Sequence, residues 1–468
     1  MDGERDIIII GAGPGGYEAA LHAARRGLKP LLIEKNKIGG TCLNRGCIPT
    51  KCLLASTGLL AEAKGAAEYG VCVKEALADF GSIVKRKDSI VSQLLMGLGG
   101  LLKSWGVEVV SGNASFKDKN TVEVVSDSGS TLYKSNKIII STGSVPATVG
   151  GLEVDGDGVV NSDHVLGFTE VPGSMLIVGA GAIGMEFACI YSMLGTKVTV
   201  VEMLPNIVPL ADTEVSSKLR QALEKTGITI KTGTVVKEIT DLSGRKKARI
   251  EGGGVSEEIV ADKILVATGR VPFTEGLCLE NAGVKTAEKG KIAVNDKLET
   301  SQEGIYAIGD VTGGIQLAHV ASEEGITAVD NAAGGQKLMD YSVVPNCVYS
   351  IPQLAWTGIT EEEAKKKGIN YSAGRFPFAA SGKALVCGKR TGMIKVLAES
   401  VTKKVLGIHI LGHEATEIIS QAVITLKAGL TTESFTRIIH AHPTLYESMH
   451  DAMDDVWGMS IGLARKKK

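Results

Sequence analysis

Aromatic residues and proline are scarce in this 468-residue chain: aromatic side chains make up 4% of it, and 12 prolines stand against 58 glycines. The 51 basic and 52 acidic residues leave a net charge of −1, so no charge surplus indicates a nucleic-acid partner. Hydrophobic residues make up 44%, which excludes a largely disordered chain. At roughly 100–200 residues per domain, the length predicts two to four domains.

Long apolar runs are also lacking. The nearest, Leu94–Leu102, is interrupted by glycines and ends at Lys103, short of the roughly 18 residues of a membrane span. The first strand-like run, Asp6–Ile10, lies almost at Met1 and leaves no room for a signal or transit peptide. We therefore expect a cytoplasmic protein with no membrane partner, and a solvated basic tail at Arg465–Lys468.

Eight cysteines in a chain of this size do not indicate a structural disulfide framework. Six of them are scattered, and we expect them to be buried or idle thiols: Cys52, Cys72, Cys189, Cys278, Cys347 and Cys387. Cys42 and Cys47 are different, because they lie five positions apart in a glycine-bearing segment.

A dinucleotide-binding pattern occupies the start of the chain. The apolar run Asp6–Ile10 predicts a buried parallel strand, followed by a helix over Tyr17–Arg25 and a second strand over Pro30–Ile33. The pattern requires three glycines and an acid that accepts from ribose hydroxyls: Gly11, Gly13, Gly16 and Glu34. The first glycine permits the tight turn, the second lets a pyrophosphate approach the backbone, and the third lets helix pack on strand.

The same pattern returns later, with strands over Met175–Val178 and Val198–Val201 and a helix through Leu194. Its nucleotide-binding residues are Gly179, Gly181, Ile183, Gly184 and Glu202. In both copies the last glycine lies 18 residues before the acid. A single copy is a weak signal, but two copies at matched spacing favour two bound dinucleotides over glycines that merely pack a ligand-free domain.

The two copies are expected to bind different dinucleotides. A redox motif follows the first copy within one element, so we expect the flavin there and the nicotinamide in the second copy. The second strand of that copy ends in Glu202, with no arginine just beyond it. Because a 2′-phosphate would meet this carboxylate, NAD is favoured over NADP.

The two closely spaced cysteines have the features of reactive thiols. Pro49 suits the first turn of a helix that continues through Leu60, which places Cys47 at a helix N-terminus, where the dipole stabilises a thiolate. Lys51 adds positive charge one turn later. The alternatives are a zinc site and two unconnected core cysteines. Zinc needs four ligands, and only His22 is within reach in sequence, so no metal is expected.

With these motifs in this order, the sequence resembles the pyridine nucleotide-disulfide oxidoreductases over nearly its whole length. The resemblance implies FAD in the first copy, with a redox disulfide between Cys42 and Cys47 against the flavin ring. It further implies that Cys42 exchanges with the substrate and that Cys47 contacts the flavin. Lys51 matches the lysine near the flavin, and Glu186 matches its acidic partner.

Other segments match the family in the expected order: Ile138–Gly143, Ile264–Gly269 and Gly304–Asp310. By resemblance, Asp310 contacts the ribityl chain of FAD. The further FAD contacts implied by the resemblance are Thr41, Lys51, Ala114, Thr142, Gly143 and Ala318. The further NAD contacts are Val235, Ala267 and Gly269.

The C-terminal segment His440–Glu447 carries a second reactive arrangement. Since a residue before proline is extended, His442 and Glu447 are not expected to be neighbours on one regular helix. Thr444 is expected to cap a helix that begins near Leu445, from which Glu447 reaches back to the His442 ring. The resemblance implies that His442 is the acid/base and Glu447 its partner, both supplied by the other subunit of a homodimer. The alternatives are a metal pair of the segment's two histidines, which lacks further ligands, and a capped surface turn.

We therefore predict an α/β fold with two Rossmann-like dinucleotide-binding domains and a C-terminal α+β dimerisation domain. The predicted domains are an FAD-binding domain (1–145), an NAD-binding domain (146–272), a central domain (273–340) and an interface domain (341–468). The resemblance is strongest to the members that oxidise dihydrolipoyl groups with NAD. It implies lipoyl domains of 2-oxo acid dehydrogenase or glycine cleavage complexes as partners. The alternatives are another NAD(P)H-dependent disulfide reductase of the same fold and a docking subunit of a multienzyme complex.

Overall fold

The computed structural model describes residues 4–464, which form two compact units, and the basic tail Arg465–Lys468 lies outside the described residues. The first unit consists of Met1–Cys52, Ser82–Ala147 and Gly269–Asp340. The second consists of Leu53–Gly81, Thr148–Thr268 and Tyr341–Lys468. The predicted FAD and central segments thus fall mainly in the first unit, and the NAD and interface segments in the second. The finer division into four domains stays a prediction.

A five-stranded parallel sheet forms the centre of the first unit. Its strands, in spatial order, are Ile305–Ala307, Ile138–Ile140, Ile7–Ile10, Pro30–Glu34 and Glu108–Ser111. The isoleucine run of the middle strand is buried on both faces, as expected of an inner parallel strand. The strand at one edge, Ile305–Ala307, comes from the central segment, so the first 145 residues do not complete this sheet.

Helices and small antiparallel sheets complete the first unit. The helices are Pro14–Arg25, Gly40–Arg45, Cys47–Lys64, Phe80–Ser104 and Ala318–Ala332, and the third and fourth cross the unit boundaries. Short 3₁₀ turns lie at Leu279–Ala282, Glu288–Gly290 and Gly309–Thr312. The antiparallel strands are Asn113–Asp118, Thr121–Ser126 and Gly129–Lys134, and a separate pair, Ser144–Pro146 and Arg270–Pro272.

The second unit contains another five-stranded parallel sheet. Its strands, in spatial order, are Thr229–Lys231, Lys197–Val201, Ser174–Val178, Lys263–Val266 and Val159–Val160. The accompanying helices are Ser162–Val165, Ala182–Met193 and Thr213–Glu224, with a 3₁₀ turn at Ala66–Tyr69. An antiparallel meander is formed by Thr234–Leu242, Arg245–Gly252 and Val255–Ala261.

The C-terminal part of the second unit is an antiparallel sheet with helices. The strands, in spatial order, are Asn346–Val348, Gln353–Gly358, Val405–Gly412, Met393–Glu399 and Tyr371–Pro377. The helices are Glu361–Lys366, Gly382–Val386, Ala415–Lys427, Thr432–Thr436 and Glu447–Asp455, with a 3₁₀ turn at Phe378–Ala380. Two parallel-sheet α/β sections and this α+β section agree with the predicted fold class.

A fully buried lysine lies within this C-terminal sheet. Lys395 is 0% exposed, and its Nζ lies 2.8 Å from Oδ1 of Asp212 and 2.6 Å from Oε2 of Glu361. A third carboxylate, that of Glu214, lies 3.1 Å away. These three carboxylates compensate the positive charge of the buried lysine, as a buried cation requires.

The predicted element boundaries differ from the observed ones mainly at helix starts. The first nucleotide helix begins at Pro14 rather than Tyr17, because proline is well suited to the first helical turn. The cysteine helix begins at Cys47 itself and ends at Lys64 rather than Leu60. Within residues 4–464, none of the helices is both long and apolar enough to cross a bilayer.

Candidate active site

The turn after the first strand has the shape that a bound phosphate requires. Gly11 has φ 101°, and a side chain on it would collide with the Ser141 carbonyl. A side chain on Gly16 would collide with the Gly11 carbonyl, which lies beneath the helix Pro14–Arg25. By contrast, a Cβ on Gly13 would have no neighbour within 4 Å. Packing therefore requires the outer glycines, whereas the middle one keeps open the place where a phosphate approaches the backbone.

The acid of the first copy is held by two backbone groups. Oε2 of Glu34 accepts the N–H of Ala12 at 2.8 Å, and Oε1 accepts the N–H of Asn36 at 2.8 Å. Gly112, two residues before the predicted contact Ala114, donates to the Glu34 carbonyl at 3.0 Å. The carboxylate is thus fixed before any ligand binds, and each oxygen keeps a lone pair for a ribose hydroxyl.

The second unit repeats this turn. Gly179 has φ 105°, and a side chain on it would collide with the Ala267 carbonyl. A side chain on Gly184 would collide with the Gly179 carbonyl, while a Cβ on Gly181 would have no neighbour within 4 Å. Ile183 lies in the helix that follows. Both predicted nucleotide turns therefore have the geometry to hold a dinucleotide.

The acid of the second copy is clamped in the same way. Glu202 is buried, and it accepts the N–H of Ala180 at 2.7 Å and that of Leu204 at 2.8 Å. Its carbonyl accepts the N–H of Thr234 at 2.9 Å, which places the predicted contact Val235 next to this acid in the chain. A carboxylate held here disfavours a ligand with a 2′-phosphate.

The two reactive cysteines lie on consecutive helices tied to the first phosphate turn. The N–H of Gly39 donates to the Ala12 carbonyl at 2.7 Å, which anchors the start of this segment. The helix Gly40–Arg45 carries Cys42, and the helix Cys47–Lys64 begins at the second cysteine. This arrangement brings the thiol pair next to the proposed FAD cradle.

Cys42 and Cys47 are in hydrogen-bond contact. Both cysteines are free thiols, and Cys42 is half-buried while Cys47 is exposed. The hydrogen bond to Cys47, burial and the charge on Cys47 raise the pKa of Cys42 far above its usual range, although Lys51 opposes the shift. Cys42 therefore keeps its proton at neutral pH, and Cys47, as the first residue of its helix, lies where the helix dipole favours a thiolate.

The phenol of Tyr17 is a further group near the sulfur pair. Burial raises the pKa of Tyr17 to about 12, and the charges of Glu18, Cys42 and Cys47 add to the shift. Tyr17 is therefore a neutral hydrogen-bond donor at neutral pH. The sequence marks it only as the first residue of a predicted helix.

Lys51 and Glu186 lie in different units, so their predicted pairing stays a prediction. Lys51 is one helical turn beyond Cys47 in the first unit. Glu186 is 4% exposed in the second unit, and its Oε1 accepts the N–H of Tyr349 at 3.0 Å. The backbone thus fixes the orientation of this buried carboxylate.

Asp310 belongs to a hydrogen-bonded chain beside two predicted FAD contacts, Thr142 and Gly143. Its Oδ2 accepts the hydroxyl of Ser144. Arg270 donates two hydrogen bonds to Ser144: Nε donates to the hydroxyl oxygen at 2.8 Å, and Nη2 donates to the carbonyl oxygen at 2.7 Å. Asp310 is therefore oriented by two residues that the sequence analysis did not select.

His442 and Glu447 form a hydrogen-bonded pair. Nδ1 of His442 lies 2.8 Å from Oε1 of Glu447, whose other oxygen accepts the N–H of Thr444 at 2.7 Å. Burial alone would raise the pKa of Glu447, but the Thr444 N–H and His442 outweigh it and lower the pKa. The ionised carboxylate keeps the proton on Nδ1 and leaves Nε2 to exchange protons, on a side chain that is 81% exposed.

The predicted cap of this segment is wrong. The helix begins at Glu447 rather than near Leu445, and the Thr444 hydroxyl donates to the Ala441 carbonyl at 2.9 Å instead of capping the helix. A hydroxyl that finds a local carbonyl no longer serves the helix N–H groups. The His442–Pro443 peptide bond is cis. Glu447 nevertheless reaches His442, as expected.

The remaining predicted contacts lie at the ends of elements. Thr41 lies in the short helix that carries the first cysteine, and Ala318 begins a longer helix. Gly269 belongs to the first unit, where its carbonyl accepts the N–H of Ala147 at 3.0 Å, whereas Ala267 belongs to the second. A role of Gly269 toward NAD stays a prediction. Within residues 4–464, no cluster of His, Cys, Asp or Glu is placed to hold a metal ion.

One sequence signal could have found Ser144 and Arg270. The segments Thr142–Pro146 and Thr268–Pro272 share the pattern Thr-Gly-X-Val-Pro, with serine and arginine at the variable position. They pair as antiparallel strands in the structure. The repeat is visible in the sequence, but the pairing across 126 residues is not.

Comparisons with known proteins identify the family of this chain. The family model for pyridine nucleotide-disulphide oxidoreductases matches residues 5–325, and the model for their dimerisation domain matches residues 344–453. The chain therefore belongs to the pyridine nucleotide-disulphide oxidoreductase family. FAD and NAD are the cofactors of this family branch, and both cradles described above fit them.

The relatives are more specific. A dihydrolipoyl dehydrogenase of Thermus scotoductus is 43% identical over 98% of this chain and 99% of its own length. Dihydrolipoyl dehydrogenase 1, mitochondrial, of Arabidopsis thaliana is 40% identical over 96% of this chain and 90% of its own. Among solved structures, the HOCl-induced flavoprotein disulfide reductase RclA of Escherichia coli, in its Cu(II) complex, has a TM-score of 0.87 at 28% identity, covering 97% of this chain and 99% of that chain.

Proposed function

We propose that this protein oxidises dihydrolipoyl groups to lipoyl groups and reduces NAD⁺ to NADH, with Cys42 and Cys47 as its redox pair. The observation that carries the proposal is the sulfur pair itself: two thiols in hydrogen-bond contact, in a segment tied to the first phosphate turn. The relatives named dihydrolipoyl dehydrogenase, which align over nearly the whole chain, support it.

The thiol chemistry follows from the proton positions. In the disulfide form of the pair, a substrate thiolate attacks Sγ of Cys42, which breaks the Cys42–Cys47 bond and releases Cys47 as a thiolate. The second substrate thiol then attacks the substrate sulfur of this mixed disulfide and passes its proton to Cys42, which leaves as a thiol. The substrate leaves as a cyclic disulfide, and two electrons stay on the cysteine pair as one thiol and one thiolate. His442 accepts the proton of the attacking substrate thiol at Nε2, since Glu447 keeps its Nδ1 protonated.

The two nucleotide sites complete the reaction. The bound FAD supplies a two-electron relay between the cysteine pair and NAD⁺. The position of Cys47 at a helix N-terminus, where a thiolate is favoured, supports its role in this transfer. In the second unit, Glu202 accepts from the ribose of NAD and disfavours NADP.

We propose a homodimer in which His442 and Glu447 serve the partner subunit's Cys42. The chain carries the family's dimerisation domain, and the His442 side chain is 81% exposed on a single chain, as expected of a group that acts on a second surface. The proposed macromolecular partners are lipoyl domains of 2-oxo acid dehydrogenase or glycine cleavage complexes. A cytoplasmic location stays a prediction, and cell fractionation tests it.

Anaerobic spectra test the proposal. The purified flavoprotein is titrated with dihydrolipoamide, NADH and NADPH. Because the Cys47 thiolate is proposed to contact the flavin, we expect a long-wavelength absorbance band on two-electron reduction by dihydrolipoamide or NADH, and none with NADPH. Cys47→Ser should lose the band and lipoamide turnover while retaining FAD. The exposed thiol of Cys278 supplies the control, since Cys278→Ser should change neither.

Three outcomes would favour an alternative over the proposal. A band produced by NADPH but not by dihydrolipoamide would indicate another disulfide reductase of this fold, as the likeness to RclA allows. A folded but colourless protein would remove the flavin assignment altogether. Normal spectra with turnover only inside a multienzyme core would favour the docking role.

A further inference from the structure

Three side chains of the first unit form a directed chain of hydrogen bonds. A guanidinium has donors only, so the Ser144 hydroxyl oxygen must accept from Nε of Arg270, at 2.8 Å. The hydroxyl proton is then directed to Oδ2 of Asp310. The order Arg270 to Ser144 to Asp310 thus has one direction, and it ends on a carboxylate.

The chain is mounted on a rigid support. The strands Ser144–Pro146 and Arg270–Pro272 pair in antiparallel register, with Pro272 opposite Ser144. Beyond them, the N–H of Phe273 donates to the Gly143 carbonyl at 2.9 Å, and the Thr142 hydroxyl donates to the Phe273 carbonyl at 2.6 Å. These backbone-anchored bonds hold the serine and the arginine in place.

We infer that Ser144 and Arg270 are positioning residues for FAD: they hold one oxygen of Asp310 and leave the other for a hydroxyl group of the flavin's ribityl chain. This inference rests on the proposed contact of Asp310 with FAD. Ser144 is 5% exposed, so water competes poorly for its hydroxyl, whereas Asp310 is half-buried and accessible to a ligand. A carboxylate that is already oriented loses less freedom when FAD binds.

Removal of the serine hydroxyl should loosen FAD. Ser144→Ala deletes a hydrogen bond to a charged group and leaves Asp310 free to rotate. FAD release is therefore expected to become roughly tenfold faster. Ser144→Thr keeps a hydroxyl, so its rate of FAD release should stay within about threefold of that of the unchanged protein. Arg270→Lys keeps the charge but cannot donate both hydrogen bonds to Ser144, so its rate of FAD release should lie between those of Ser144→Thr and Ser144→Ala.

The measurement is the rate of FAD release from the holoenzyme, followed by the fluorescence of free flavin in mild denaturant. Each serine variant is made alone and combined with Asp310→Asn. If Ser144 acts through Asp310, Ser144→Ala should accelerate FAD release little further in a protein that already carries Asp310→Asn. The flavin spectrum and the melting temperature are recorded beside each rate.

The second unit offers a matched control. There Ser174 donates to Oδ2 of Asp262 at 2.9 Å and accepts from Nη2 of Arg245 at 3.1 Å. This is the same side-chain chemistry at the start of a strand, away from the phosphate turn. Ser174→Ala should leave FAD release unchanged.

Three results would overturn the inference. If Ser144→Ala accelerates FAD release by the same factor with and without Asp310→Asn, the serine does not act through the aspartate. Failure of Ser144→Thr to restore slow release would show that the hydroxyl is not the cause. If Asp310→Asn itself leaves FAD release unchanged, the proposed contact between Asp310 and FAD fails first, and the inference fails with it.

Discussion

One hydrogen bond determines which nitrogen of His442 is available for chemistry. Because Glu447 binds Nδ1 at 2.8 Å, the ring is held as the tautomer whose Nε2 accepts a proton. The second bond of Glu447, to the Thr444 N–H, prevents the carboxylate from turning away. As the proposed base, His442 is held in the tautomer that this role requires before any thiol binds.

Replacement of this base should slow only the thiol half of the reaction. His442→Gln is expected to lower the turnover of dihydrolipoamide by about 10²–10⁴, since glutamine cannot accept the proton. Stopped-flow reduction of the flavin by NADH should be unaffected. His413→Gln is the control, because His413 lies in the same unit near a carboxylate, 3.6 Å from Glu414. Near-normal turnover in His442→Gln would remove the base assignment.

At the scale of residues, the sequence best predicts contacts between side chains that lie a few positions apart in the chain. Cys42 and Cys47 lie five positions apart, as do His442 and Glu447, so short spacing and local propensity are sufficient to bring each pair together. The bond between Ser144 and Arg270 spans 126 residues and depends on strand pairing, which local patterns do not specify. The position of Tyr17 beside the sulfurs was missed for the same reason.

At the scale of elements, each nucleotide turn contains glycines that the packing of the fold requires and one glycine that packing does not require, which we assign to ligand binding. The outer glycines prevent collisions between helix and strand, and the inner ones, Gly13 and Gly181, have open space in front of them. Because the same division occurs twice, it is a property of the strand-turn-helix unit rather than of one site.

Matched alanine variants should expose this division. Gly16→Ala places a methyl group against the Gly11 carbonyl and should destabilise the fold by roughly 1–3 kcal/mol or more, measured as a lower melting temperature. Gly13→Ala has room for its methyl group, so it should melt normally as apoprotein but retain less FAD. Equal melting temperatures for the two variants would contradict this assignment.

Sequence patterns identified these strand-turn-helix units because each lies within about 35 contiguous residues and has a strict spacing. They were less accurate at ends. The predicted start of the first nucleotide helix is too late and that of the Glu447 helix too early, and the cysteine helix begins at Cys47 as predicted but ends at Lys64, since termini depend on individual hydrogen bonds. The hydroxyl of Thr444, which bonds to Ala441, shows how one such bond changes a cap.

At the scale of the whole molecule, stability depends on charges that the sequence analysis did not single out. Lys395 is fully buried among Asp212, Glu214 and Glu361. Burial alone would lower the pKa of Lys395, but its hydrogen bonds to these carboxylates outweigh burial and raise it. The lysine therefore stays charged, and its removal leaves the fully buried carboxylate of Asp212 without its paired cation.

Lys395→Met should lower the free energy of unfolding by about 3–5 kcal/mol at neutral pH, measured by urea titration. Lys365→Met is the control: this lysine also pairs with Glu361, at 3.0 Å, but it is 64% exposed, and exposed pairs contribute about 0–1 kcal/mol. If both variants lose the same free energy of unfolding, the burial of Lys395 is not the cause of its contribution.

The carboxylates around Lys395 also predict that the stability of the fold depends on pH. Although burial alone would raise it, Lys395, Tyr371 and Lys365 lower the pKa of Glu361 to about 2. A carboxyl with a lowered pKa stabilises the fold above its ordinary pKa of about 4.3, and this contribution is lost as the pH falls toward 2. The stability gap between unchanged protein and Lys395→Met should therefore narrow between about pH 4.5 and pH 2. A constant gap would argue against this titration.

The order of strands in the first sheet also has a consequence during synthesis. Ile138–Ile140 pairs on one side with Ile305–Ala307, which the ribosome adds much later. At 5–20 residues per second, that interval lasts roughly 8–30 s. Throughout it, one edge of this apolar strand has no native neighbour, so the nascent chain is most exposed to wrong strand pairing in that interval.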